Sequence, residues 1–247
     1  MPAKKPRFED GLKARPAVEL VSILLFRPLG YLVVRLLWSS SIRPEHLVLL
    51  HGLLGFWAAW LLAHESYLAA ALILQLVTIL DAADGQLARS RGQLSLLGRY
   101  LDTEVDFLVH LALFAALAAV CGLAAAIAGL VVLTLVLSLD YNLVLVHRGG
   151  GEEPSPVGLE KALARFYDLL FGWQDAILQR LENWLGPPPR WFYWLLANLG
   201  RSTQFVVLGV FLVLGRPCGY LGFLAATAAL IILVYAIRIW RSIRFPR

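Results

Sequence analysis

Residues Asp81–Asp106 read DAADGQLARSRGQLSLLGRYLDTEVD. The stretch holds Asp81, Asp84, Asp102, Glu104 and Asp106, yet the segments on either side, YLAAALILQLVTIL and FLVHLALFAALAAV, are suited to oil. The whole chain shares that bias: 59% of its 247 residues are hydrophobic, 16% are charged, and mean hydropathy is +0.70. Soluble domains are usually about 45–50% apolar, so the composition points to an integral membrane protein. The apolar runs are unbroken and rich in Leu and Ala rather than alternating, which predicts helices and not a barrel. A helix also satisfies its own backbone groups where water is absent.

A crossing needs about 20 residues to cover about 30 Å. Six such runs are expected, at about 45–63, 67–89, 94–119, 123–146, from within 191–203 to Leu214, and 219–240. Before them, residues 17–39 are apolar but interrupted by Glu19, Arg27, Pro28 and Arg35. That pattern predicts an interfacial amphipathic helix kinked at Pro28, an anchor without chemistry. The predicted fold is all-α integral membrane. Residues 1–43 are expected to form a cytoplasmic basic arm and interfacial helix, and residues 44–247 a six-helix catalytic domain with a cytoplasmic insert at 147–190. Within the insert, HRGGGEEPSPVG is a break, and WQDAILQRLENW reads as an interfacial helix with Trp at the boundary.

Lys and Arg gather in the N-terminal arm, the 89–99 turn, the 148–190 segment and the IRIWRSIRFPR tail. By the positive-inside rule both termini and the acidic cluster face the cytoplasm. The net charge of +5 is thereby read as topology and headgroup contact, not nucleic-acid binding. No cleavable signal peptide is visible in MPAKKPRFEDGLKARP, so insertion is expected through the first span. Cys121 and Cys218 lack metal spacing. They are expected near one membrane face, as separate small apolar residues rather than a disulfide.

Helical spacing gathers the acids. Asp81 and Asp84 are three apart, Asp102 and Asp106 four apart, so each pair shares a helix face. Two antiparallel helices joined by the 89–97 turn bring the four together. Carboxylates so crowded oppose one another's ionisation, and acids within a membrane are costly and usually functional. A divalent cation resolves the conflict. Hard oxygen ligands suit Mg²⁺, Mn²⁺ or Ca²⁺, and Mg²⁺ leaves positions for substrate phosphates. Gly85, Ala88 and Gly98 permit close approach of a ligand or a neighbouring backbone. Arg89 and Arg91 suit phosphate oxygens, with positive-inside anchoring as the plainer reading. His51, at similar depth, reads as a packing or hydrogen-bonding residue.

The pattern Asp81-x2-Asp84-Gly85-x2-Ala88-Arg89-x8-Gly98-x3-Asp102-x3-Asp106 resembles the signature of the CDP-alcohol phosphotransferases at each of these positions. The resemblance implies an enzyme that displaces CMP from a CDP-linked alcohol with an acceptor hydroxyl, using Mg²⁺ or Mn²⁺, with two ions within the family's range. It implies that Asp81, Asp84 and Asp102 bind metal. Asp106 would be the catalytic base and a further metal contact. Gly85, Ala88, Arg89, Ser95 and Gly98 would form the CDP-donor site. Where the family often opens its first span with a Pro-Asn-x-x-Thr-like stretch, this chain has Pro44-Glu45-His46-Leu47-Val48. The family also forms homodimers, which no residue here demands.

For the acceptor, Asp140 and Asn142 on the fourth span and Arg201 at the opening of the fifth are weak candidates. Arg201 suits an anionic acceptor; an ion pair from Asp140 to Arg148 or Arg201 is the alternative. The donor expected at a membrane surface is CDP-diacylglycerol, the acceptor a small polar alcohol, and the partners are otherwise membrane lipids. A CDP-linked small alcohol moved to a diglyceride or a polyol phosphate is the variant. Two other classes compete. A cation or proton transporter fits less well because the acids crowd one end. A catalytically silent scaffold fits less well because the motif acids are all present.

Overall fold

The apolar runs form helices where their length places them. The computed structural model describes residues 6–13, 17–147 and 156–244, and contains no strand among them. The helices are α1 (Arg27–Leu37), α2 (Pro44–Ala63), α3 (Tyr67–Arg91), α4 (Leu96–Cys121), α5 (Leu123–His147), α6 (Leu159–Tyr167), α7 (Trp173–Leu185), α8 (Arg190–Ala197), α9 (Arg201–Val213) and α10 (Cys218–Arg244). Five of them, α2, α3, α4, α5 and α10, are long and apolar enough to cross a membrane. The pair α8 and α9, bent by 52° at its break, makes a sixth crossing when taken as one span. At that break Asn198 accepts the Leu20 N–H at 2.8 Å and donates to the Val18 and Trp194 carbonyls at 2.9 Å, so a polar side chain stands in for the interrupted ladder. The break expected over 147–158 falls mostly on residues 148–155, outside the described residues, as does Arg148.

Leu53, Phe56 and Trp60 on α2, Leu68 and Leu72 on α3, and Ile232, Leu233 and Ile237 on α10 are exposed. In water such a belt would aggregate; for a multi-pass membrane protein it is the lipid face. The interior is built from Leu62, Leu74, Leu113, Leu117, Leu208 and Leu224. Cys121 and Cys218, expected to be separate, are joined by a disulfide that ties the end of α4 to the start of α10. The pairing depends on two helix ends 97 residues apart in sequence, which local pattern does not register.

Residues before α2 pack onto α3. A wide π-turn at Ser22–Phe26 precedes Pro28, with Arg27 N–H bonded to the Ser22 carbonyl, and relieves the ladder where proline has no donor to give. α1 then crosses α3 at Gly30, whose absent Cβ would stand 3.0 Å from the Ala83 nitrogen. Arg91 donates to the carbonyls of Ile42 (2.6 Å), Trp38 (3.0 Å), Ser40 (3.1 Å) and Leu37, and so caps the end of α1.

Within the 147–190 segment, α7 is locked into the bundle rather than laid upon it. On α7, Gln174, Asp175 and Glu182 are buried while Trp173, Ile177 and Trp184 are exposed, so its polar face turns inward. Glu182 forms a two-pronged pair with Arg238 on α10, at 2.8 and 2.9 Å, and accepts the Tyr235 hydroxyl at 2.5 Å. Removing one partner of a buried pair strands the other charge, at about 3–5 kcal/mol. Arg238→Ala is therefore expected to lower the melting temperature in detergent by several degrees; an unchanged melt would show that the pair contributes nothing.

Candidate active site

The turn between α3 and α4 sets the acids in place. α3 runs to Arg91 and stops at Gly92, whose φ of +64° suits a residue without Cβ, and the Gln93 N–H closes the end on the Ala88 carbonyl at 2.8 Å. Ser95 caps α4 by accepting the Gly98 N–H at 2.9 Å. The two helices then part. α2 packs along both of them, while α3 and α4 make little backbone contact with each other. The close approach of α2 to α4 depends on Gly52 and Gly55: Cβ atoms there would lie 2.5 Å from Val105 and Val109 methyls.

His51, beside Gly52, is thereby carried between the two acidic helices. Ligand atoms of His51, Asp81, Asp84 and Asp102 all lie within 4.8 Å of one another. Asp106 stands next to this group, its Oδ1 3.4 Å from His51 Nε2, and Asp84 Oδ2 is 3.2 Å from His51 Nδ1. The buried atoms Asp84 Oδ2 and Asp102 Oδ1 have no hydrogen-bond partner in the protein. Orphaned carboxylate oxygens this deep call for a cation or water. Three converging carboxylates with unmet acceptor capacity fit a divalent ion. Arg201 of α9 supplies a cation to the rim, its guanidinium bridging Asp81 and Asp106. Glu104, the one glutamate of the stretch, is buried with neither oxygen hydrogen-bonded and is not part of the group.

On the side expected to bind the donor, Gly85 lies beneath the Arg89 side chain: a Cβ there would meet the two terminal guanidinium nitrogens at 3.1 and 3.2 Å. Arg89 Nε donates to the Gly11 carbonyl at 2.7 Å. Ala88 is buried. Ser95 and Gly98 sit together at the start of α4, where the Ser95 hydroxyl is 3.5 Å from Glu45 Oε1 of α2.

The acceptor candidates scatter. Arg201 is in the cluster. Asp140 is half-buried on α5. Asn142 is fully buried away from the cluster: it donates to Asp175 Oδ1 at 2.6 Å and to the Ser138 carbonyl at 2.8 Å, and accepts from Gln179 at 2.9 Å. That network fastens α5 to α7. Two contributors lie outside the acidic motif. His51 had a readable signal, a polar residue beside glycines three apart in an apolar span. The reach of Gly11 to Arg89, across 78 positions, had none.

A family model described as CDP-alcohol phosphatidyltransferase matches residues 41–172. The chain is also similar to the inner membrane protein YnjF of Escherichia coli (strain K12), 39% identical over 84 residues. That alignment covers 34% of this chain and 40% of that protein. The matched model takes in α2 to α6, both acidic helices and the His51 bridge, and it spans just over half of the 247 residues; the chain belongs to the CDP-alcohol phosphatidyltransferase family.

Proposed function

We propose that the protein transfers a phosphatidyl group from CDP-diacylglycerol to the hydroxyl of a small polar alcohol and releases CMP. The observation that carries this reading is the convergence of Asp81, Asp84 and Asp102 on one spot, with buried oxygens of Asp84 and Asp102 that lack a hydrogen bond, in a chain of this family. Those three residues would hold Mg²⁺ or Mn²⁺, with His51 steadying Asp84 and Asp106. A divalent ion bound there would neutralise the diphosphate and make CMP a better leaving group.

The residues divide the remaining work. Asp106 takes the acceptor's hydroxyl proton as that oxygen attacks the lipid-bearing phosphorus. The bond from this phosphorus to the CMP oxygen breaks in the same displacement. Arg89, over Gly85, faces the donor's phosphates with terminal N–H groups. Arg201 balances Asp81 and Asp106 and, on this reading, turns to an anionic acceptor when one arrives. Such catalysis is mostly positioning and electrostatics.

On this proposal residues 1–43 form a cytoplasmic arm and interfacial helix. Leu24, Leu32 and Leu36 are exposed there, which supports contact with the bilayer surface. Residues 44–247 form the catalytic bundle and 147–190 its insert. Both termini and the site face the cytoplasm. The basic 89–99 turn supports this orientation, and so does the disulfide at the opposite end of α4, since disulfides persist on the oxidising side.

The test is CMP release by purified protein given CDP-diacylglycerol, Mg²⁺ or Mn²⁺, and a panel of alcohols, with products identified by mass spectrometry. Release that needs both metal and one alcohol is expected. Release only from a CDP-linked small alcohol with diglyceride or a polyol phosphate would reassign the donor. No release from any CDP-alcohol would end the proposal.

A further inference from the structure

The N-terminal arm reads from its sequence as a basic anchor, yet its described part folds back over α3 beside the acidic cluster. Phe8–Gly11 form one 3₁₀ turn, and Asp10 Oδ2 accepts the Arg7 N–H at 2.7 Å. Tyr31 of α1 holds the outer end of this turn. Its ring meets Phe8 edge-on at 5.5 Å, and its hydroxyl donates to the Pro6 carbonyl at 2.8 Å. The inner end is Gly11, buried on α3: a Cβ there would stand 3.1 Å from Gln86 Cβ and Cγ and 3.4 Å from Ser90 Oγ. A side chain here would press on Gln86, so glycine favours this close approach of the arm. That closeness brings the Gly11 carbonyl to 2.7 Å from Arg89 Nε.

The consequence is directional. A guanidinium is planar, with its donors in a fixed fork. Tethering Nε therefore restricts where both terminal nitrogens go, and they lie over Gly85, where a Cβ would meet them at 3.1 and 3.2 Å. A long flexible side chain otherwise loses rotamer freedom each time it binds. The tether lowers that cost in advance.

We propose that Pro6–Gly11 is a hook that positions Arg89 for the donor, its Gly11 carbonyl holding the guanidinium over Gly85 so that the terminal N–H groups meet a nucleoside diphosphate already aligned. This rests on the donor reading given above and deepens it. Gly11 is a positioning residue: it acts through Arg89.

The experiment titrates CDP, in Mg²⁺, into the detergent-purified full-length protein, and measures KM for the donor and kcat. Gly11→Val should weaken CDP binding and raise KM by about tenfold, the scale of a lost charge-assisted hydrogen bond, with kcat changed by less than about twofold. Phe8→Ala, which loosens the hook without pressing on α3, should act in the same direction and more mildly. In an Arg89→Ala background Gly11→Val should add nothing to the loss of CDP affinity. Wild-type CDP affinity in both Gly11→Val and Phe8→Ala, or an undiminished effect of Gly11→Val once Arg89 is gone, overturns the hook. A wild-type protein that binds no CDP removes the donor reading, and the hook with it; wild-type binding with indifferent variants removes the hook alone.

Discussion

Asp84→Asn is expected to reduce CMP release by at least about 10³-fold, since a metal that neutralises a phosphoryl group is worth several kcal/mol. The substitution keeps the side chain's volume but puts an amide where Asp84 Oδ2 now lies buried, 3.2 Å from His51 and without a hydrogen bond. It also removes one of the three carboxylates that converge there. A second readout follows from the same geometry. In chelator the wild-type protein carries crowded acids, so removing one charge should leave its melting temperature unchanged or raise it. Added Mg²⁺ or Mn²⁺ should stabilise the wild type by mass action, and Asp84→Asn should lose that rise. A variant that turns over normally and still melts higher with metal would mean that Asp84 is not a ligand.

Asp106→Asn should lower kcat by about 10²–10⁴-fold, the usual contribution of a positioned base, while leaving donor KM within a few-fold. Asp106 stands beside the tight group rather than inside it, touching His51 at 3.4 Å and Arg201. A substitution there should therefore spare metal-dependent stabilisation, which separates it from Asp84→Asn. Asparagine keeps a carbonyl oxygen for Arg201 and turns an amide N–H towards His51, but it cannot take a proton. Pre-steady-state measurement of CMP release at saturating donor checks the chemical step directly. If the variant keeps the wild-type kcat, some other group takes the acceptor's proton.

The acids that define the site were legible because their spacing is a helical spacing. Asp81 with Asp84, and Asp102 with Asp106, fall on single faces whatever the rest of the chain does. The crossings were legible for a related reason, since an apolar run of about 20 residues in lipid has few alternatives to a helix. Their ends were approximate: α3 runs to Arg91 because Gly92 is the residue that adopts positive φ. Asn142 was drawn to the site by its depth alone. Depth says nothing of rotation about a helix axis, and that rotation turns Asn142 towards Asp175 of α7. The same limit applies to WQDAILQRLENW. Its amphipathic pattern was readable, but whether the polar face meets solvent or protein was not, and Glu182 turns inward to Arg238.

By itself, then, the amino-acid order determined that this chain is a helical membrane protein and which carboxylates share a face at one end of it. Hydrogen bonding within each segment and the 3.6-residue period are local, so they need no knowledge of neighbours. Tertiary packing alone decided that α2 spans the gap between α3 and α4, that His51 and Arg201 join the acids, that Cys121 meets Cys218, and that Gly11 reaches Arg89. Each of these depends on how closely two distant backbones approach. That distance is set by complementary shapes, such as Gly52 against Val105 or Gly30 against Ala83, which exist only once the helices are assembled.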